Sequence, residues 1–294
     1  PSGNSRGSTG GFPRCSKARL INWQRYQPLL LLFTMIAKIK HYLQLKRLGY
    51  VDDQLGIAHR FNREGTSWSN HLNKTKQAIL NFIEEREYST VVILGSGWLL
   101  DVPLKELLNR GKNVVLADII HPKQLVNRWK DNPNVQFIET DLTGGAANIL
   151  NRVASRSITE EEAIFTIGNL HSGMLLPEMN ALISVNLLSQ LSQIPMERLK
   201  ERGKISDHFA VTVSNIIQNQ HMRWLETKPS LLVTDFEEEL FDEDGRLCGT
   251  NPLVTVNPRT WQQIDRWKWA FDTQKTYRPD FTTRLNIGVF IRKD

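Results

Sequence analysis

The sequence predicts an α/β protein built on a mostly parallel sheet. Three observations carry the prediction. Apolar runs rich in Val, Ile and Leu lie at residues 90–95, 113–118 and 135–140, and they read as strands buried on both faces. Segments with helical spacing separate them, at 101–110 and at 122–129 after the start signal of Pro122. Each run also ends on a group suited to binding: Gly95 and Gly97 around Ser96, then Asp118, then Asp141. The alternation implies right-handed crossovers. A length of 294 residues suits one large α/β domain with an appended segment, or two small domains.

The net charge of +6 belongs to the first fifty residues, which hold nine Lys or Arg and no Asp or Glu. The rest of the chain has 28 basic and 31 acidic residues, an excess of about three negative charges that advertises no long polyanion groove. Residues 1–19, rich in Gly, Ser and Pro, read as a disordered tail. The run 29–37, LLLLFTMIA, is too short to span a bilayer. Continued through the basic residues up to 47, it reads as a helix packed on the domain, with membrane-surface contact through residues 28–47 and a nucleic-acid contact as the other readings. Two cysteines, Cys15 and Cys248, make no disulfide framework, so a reducing, cytoplasmic location is expected.

Taken in order, helices at 28–48, 52–62 and 68–86 form an amino-terminal helical cap over residues 20–88. Trp68, Leu72, Ala78, Ile79, Phe82 and Ile83 share a helical face, and His71 lies three residues from Trp68. The sheet domain then occupies 89–294. After Asp141 comes a turn at 142–145 and a short helix at 146–153. The fourth strand is assigned to Ala181–Val185, delivering Asn186; the rival assignment uses residues 163–167 and would deliver Asn169 or His171. A helix at 206–225 precedes a fifth strand at 229–235. The acidic patch 237–244 reads as a solvated turn and lacks the spacing of a calcium loop. Residues 267–271 and 284–292 read as two strands pairing antiparallel at the sheet edge.

The first strand and its glycines carry the chemistry. Glycines after a strand let the backbone approach a ligand, and the helix that follows directs its free N–H groups toward it. Asp118, 23 residues beyond Gly95, is placed to accept both hydroxyls of a ribose. Singly, the glycines read equally as a strand-to-helix turn, and Asp118 or Asp141 as a turn or capping carboxylate.

In order and spacing, residues 70–294 resemble the class I S-adenosylmethionine-dependent methyltransferases. That resemblance implies a Rossmann-like, seven-stranded, mostly parallel sheet with an antiparallel terminal strand, and S-adenosyl-L-methionine as cofactor. It implies that Gly95, Ser96 and Gly97 pass beneath the methionine part, that Asp118 holds the ribose and that Asp141 meets the adenine amine beside an apolar wall at Leu142. Asn186 would face methionine or substrate. Catalytic candidates are Asn186, His171 and His221, with His71 beside Trp68 as a further orienting group. The chain departs from the family in having Ile93-Leu94 where an acid often precedes the glycines, and Leu99 or Leu100 near the third glycine. Asp101 stands in for the missing acid or caps the next helix.

The activity this implies is methyl transfer to an unidentified acceptor, with a small molecule favoured over nucleic acid. A NAD-type dinucleotide-dependent oxidoreductase uses the same strand, glycine turn and carboxylate, although the full GxGxxG string fails at Leu100. A non-catalytic binding or scaffold protein that keeps the fold is the third reading. No nucleophile elbow surrounds Ser96 or Ser189, and no zinc spacing is present. A metal is not expected.

Overall fold

The computed structural model describes residues 27–85, 87–170, 179–255 and 261–292. The expected tail at 1–19, Cys15 and His171 lie outside them. The chain divides into two compact units, Pro1–His41 and Tyr42–Asp294. Helix α1 (Gln27–Arg47) begins in the first unit. Among the described residues no helix is long and apolar enough to cross a membrane.

The second unit contains a seven-strand path in the order β3-β2-β1-β4-β5-β8-β7. Its members are β1 (Thr90–Leu94), β2 (Asn113–Asp118), β3 (Val135–Glu139), β4 (Ala181–Val185), β5 (Ser230–Phe241), β7 (Trp261–Asp272) and β8 (Thr282–Arg292). An eighth strand, β6 (Leu247–Pro252), pairs with the outer half of β5. Strands β1 to β5 are parallel, and β8 is antiparallel to both β5 and β7. The last strand therefore lies inside the sheet with β7 at the edge, where the sequence suggested a pair added at the margin.

Alternation along the strands divides the core in two. Val92, Leu94, Val115, Ala117, Leu182 and Leu232 face helices α5 (Ala146–Ala154), α6 (Glu160–Gly168), α7 (Gln190–Glu201) and α8 (Asp207–Leu225). Val91, Ile93, Val114, Leu116, Ile183 and Leu231 face α2 (Tyr50–Glu84) and α3 (Leu104–Asn109). The short α4 (Lys123–Trp129) buries none of its residues. This three-layer arrangement is the Rossmann-like architecture implied by the resemblance.

Several elements differ from expectation for identifiable reasons. The two helices expected at 52–62 and 68–86 are one, α2, of 35 residues. Glu64, in the expected gap, is 1% exposed and accepts hydrogen bonds from Thr273 N at 3.0 Å and Thr273 Oγ1 at 2.8 Å. Residues 163–167 belong to α6, which starts with a capping box between Thr159 and Glu162, so β4 takes the preferred assignment. Helix α3 starts at Leu104, leaving Asp101 in the preceding loop.

Helix α7 was not foreseen, and it contains Pro195. A proline there cannot donate to the carbonyl four residues back, and the Tyr50 hydroxyl donates to Leu191 O at 3.4 Å instead. The acidic patch is strand through Phe241, not a turn. Glu238 is engaged by Arg278 Nε at 3.1 Å and Glu239 by Lys268 Nζ at 2.8 Å, so distant cations let carboxylates enter the sheet.

Candidate functional site

The strand order reverses between β1 and β4: β2 and β3 lie on one side of β1, and the chain then crosses to the other. In an open parallel sheet the crevice at that point, beyond the carboxyl ends of the strands, is where ligands bind. A cavity occupies it here. Gly95, Ser96, Gly97, Asp118, Asp141, Leu142 and Asn186 all line it, as do Tyr50, Asp53, Gln54, Trp68 and His71 of α2 and Trp269 of β7.

The loop after β1 is folded by local constraints. Gly95 N donates to Ala117 O at 3.0 Å, extending the β1 to β2 ladder by one residue. Gly95 has φ of 75°, and a Cβ there would meet Leu187 Cβ at 2.8 Å, so the loops after β1 and β4 approach through a missing side chain. Gly97 has φ of 45°, and a Cβ there would meet Gln54 Nε2 at an ordinary contact distance of 4.0 Å. Its N–H donates to Asp118 Oδ2 at 2.8 Å, while Ile119 N donates to Oδ1 at 2.7 Å. Burial raises the Asp118 pKa, and the Gly97 hydrogen bond opposes the shift. Trp98 Nε1 donates to Gln54 O at 2.8 Å, tying the loop to α2.

Asp141 has a structural task. Its Oδ1 accepts from Thr143 N at 2.9 Å and its Oδ2 from Ala147 N at 3.1 Å, so it fixes the turn and serves the free N–H groups of α5. Leu142 is buried beside it and faces the cavity.

Asn186 follows β4 in a left-handed conformation, φ 46°. Its amide lies 3.1 Å from His71 Nε2 and 2.8 Å from Asp101 Oδ2. His71 stacks on Trp269 with ring centres 3.8 Å apart and receives Trp267 Nε1 at 3.1 Å on Nδ1. Burial pushes His71 down to about 3. Four buried polar atoms of the cavity lining have no partner: Ser96 Oγ, Gln54 Oε1, Asn186 Oδ1 and Trp269 Nε1. Orphaned groups gathered around one cavity await a polar ligand.

His221 is not brought to this cavity. It is 1% exposed, within 3.0 Å of Ser184 Oγ of β4, and burial lowers its pKa to about 3. Of the histidine candidates only His71 reaches the cavity among the described residues, through the Trp68 and His71 spacing already visible on α2. Tyr50, Asp53 and Gln54 gave no signal in the sequence, because their place depends on how α2 crosses the sheet.

A second cavity adjoins the first and shares Asp53, Ile57, Gln190, Ile194 and Trp269 with it. Asp235 of β5 lines this annex and accepts a hydrogen bond from Ser189 Oγ. Burial raises Asp53 to about 6 and Asp235 to about 7.

No family model matches the chain, and no curated protein matches it. Among solved structures it is similar to the N-methyltransferase NodS from Bradyrhizobium japonicum WM9 in complex with S-adenosyl-L-homocysteine, at 11% identity over 76% of this chain and 87% of that one, TM-score 0.37. It is also similar to the 1,6-didemethyltoxoflavin-N1-methyltransferase of Burkholderia thailandensis, at 12% identity over 86% and 89%, TM-score 0.40. Human N-acetylserotonin methyltransferase aligns at 13% identity over 85% of this chain and 56% of that one, TM-score 0.31. The functional reading rests on this chain's own residues.

Proposed function

We propose that this chain is an S-adenosylmethionine-dependent methyltransferase acting on a small molecule. One observation carries the reading: Gly97 and Asp118 are hydrogen-bonded at the switch point of a sheet whose last strand, β8, is antiparallel between β5 and β7. The glycine loop thereby meets the carboxylate in the position that suits a ribose, and the orphaned Ser96 Oγ and Gln54 Oε1, with the unpartnered end of the Asn186 amide, supply polar partners for such a ligand. The residues present fit the cofactor.

In this reading Asp118 keeps a second lone pair on each oxygen for the ribose hydroxyls, and Leu142 covers the adenine. Asp141, engaged with its own turn, orders the wall from which that contact is made. Helix α2, within the cap expected at 20–88, closes the cavity with Trp68 and His71. When bound, S-adenosylmethionine supplies an activated methyl group on a positively charged sulfur. The chain's part is to align the acceptor, exclude water and receive a proton from it. Asn186, held in place by His71, orients the acceptor, and the Asp53 carboxylate, its pKa raised by burial to about 6, is suited to receive that proton. The dinucleotide alternative is disfavoured by Leu100, which stands where the third glycine would be.

Calorimetric titration with S-adenosylmethionine, S-adenosylhomocysteine and NAD tests the proposal. Binding of the first two, lost in Asp118→Ala, with no NAD binding, is the expected result. A folded protein that binds only NAD, or none of the three, overturns it.

A further inference from the structure

The hydrogen-bond chain Trp267, His71, Asn186, Asp101 crosses from β7 through α2 to the ends of β4 and the β1 loop, and it reaches the cavity at Asp101. We propose that this chain holds Asp101 as a neutral carboxylic acid in the ligand-free protein, and that Asp101 gives up its proton when the cavity takes an organic cation, an ammonium or a sulfonium.

Which atoms can donate decides where the protons lie. An indole N–H only donates, so the 3.1 Å contact from Trp267 Nε1 makes His71 Nδ1 an acceptor without a proton. His71 is 1% exposed, and burial keeps the ring neutral. Its single proton is therefore on Nε2. That N–H lies 3.1 Å from the Asn186 amide and needs an acceptor, which only the amide oxygen provides. The same corner of the amide is 2.8 Å from Asp101 Oδ2. Two oxygens that close need a proton between them, and an amide oxygen carries none. The proton sits on Asp101. With the amide turned the other way, its NH2 faces the His71 N–H, donor against donor.

The surroundings agree. Asp53 of α2, Asp118 at the end of β2 and Asp141 after β3 line the same cavity, with Tyr50 and the neutral His71. Burial raises the Asp101 pKa and the charge of Lys76 on α2 opposes the shift; an Asn186 NH2 donating to the carboxylate would oppose it as well, and the amide with its oxygen toward Asp101 removes that opposition. A fourth negative charge would add repulsion to a cavity already lined by three carboxyls. A cation reverses this balance. The Asp101 O–H bond breaks, its proton passes to the buffer, and the carboxylate remains beside the new positive charge. The Asn186 amide turns its NH2 to that carboxylate, and the attraction between carboxylate and cation offsets the cost of leaving the His71 N–H unpaired.

The identity of the cation rests on the methyltransferase reading; the neutral acid does not. Infrared spectra of the ligand-free protein near neutral pH test the acid directly. A protonated-carboxyl C=O band is expected in the difference between wild type and Asp101→Asn, where the shared contributions of Asp53 and Asp235 cancel. It should also vanish in Trp267→Phe, where His71 is free to move its proton to Nδ1 and accept from an Asn186 NH2, although residue 267 does not touch Asp101. Nitrogen NMR of the wild-type protein should report His71 neutral with the proton on Nε2, independently of any variant. Titration with S-adenosylmethionine in two buffers of different ionisation enthalpy should release about one proton per ligand, and none in Asp101→Asn.

A wild-type protein without the band, or with the proton on Nδ1, overturns the neutral acid. A band that survives Trp267→Phe overturns the relay. Binding without proton release overturns the cation step. A protein that shows the band yet does not bind S-adenosylmethionine overturns the methyltransferase reading and the release step together, and supports the neutral Asp101.

Discussion

Gly97 donates its backbone N–H to Asp118 Oδ2 at 2.8 Å, so the residue that closes β2 sets the loop that leaves β1. Asp118→Asn keeps one acceptor for two backbone donors, Gly97 and Ile119. The variant should lose about 1–3 kcal/mol of stability, the cost of a buried N–H left unmatched. Its affinity for S-adenosylmethionine should fall at least about tenfold, since 1.4 kcal/mol is a factor of ten. Thermal melting and calorimetry on the same preparation read both.

The two loop glycines should respond differently to alanine. Gly95→Ala puts a Cβ at 2.8 Å from Leu187 Cβ in a left-handed backbone. That combines about 1–2 kcal/mol for the conformation with about 1–3 kcal/mol for overpacking. Gly97→Ala meets only Gln54 Nε2, at an unstrained 4.0 Å, and should suffer the conformational cost alone, while its new methyl group narrows the cavity. Urea unfolding should rank Gly95→Ala as the less stable variant; the reverse order would refute the close approach between the two loops.

Glu64 joins the middle of α2 to the turn after β7. Glu64→Ala leaves Thr273 N–H without its partner and should destabilise the protein by about 1–3 kcal/mol. Hydrogen exchange should show the loss as faster exchange at Thr273 and its neighbours, with β1 and β2 unchanged.

Two buried groups should give opposite pH dependences. His221 has its pKa lowered from 6.5 to about 3, so the unfolded chain takes up a proton that the folded chain refuses. Its contribution is whole above 6.5 and is lost as pH falls toward 3, by about 1.4 kcal/mol per pH unit. Asp235, raised from 3.8 to about 7, holds its proton in the folded state, so its contribution is whole below 3.8 and is lost as pH rises through 7. Urea melts across this range should show a flatter acid limb in His221→Gln and a flatter neutral limb in Asp235→Asn.

What the sequence disclosed follows from where the stabilising partners lie. Strands β1, β2 and β4 bury both faces, so apolar content alone marks them, and the polar residue ending each run falls at the carboxyl edge. The Thr159 to Glu162 capping box was equally local and readable, and it decides α6 against a strand. The outer half of β5 was not readable, since Glu238 and Glu239 are tolerated there only because Arg278, Lys268 and Asn286 arrive from far along the chain. Helix α7 was hidden by Pro195, whose lost hydrogen bond is replaced by Tyr50. At the site, the run endings located Gly95, Asp118, Asp141 and Asn186, whereas Asp53, Gln54 and the contact between His71 and Trp267 depend on the crossing of α2 over the sheet.

The placement of β8 bears on how the molecule is made. Strand β7 emerges from the ribosome before β8, yet β8 is its sheet neighbour on the path. Until β8 inserts, the Trp267 and Trp269 rings have no completed sheet behind them, and β5 presents an open edge. Assembly of this half of the sheet thus waits for β8 to be made, and during that interval the nascent chain is exposed to aggregation and open to capture by chaperones.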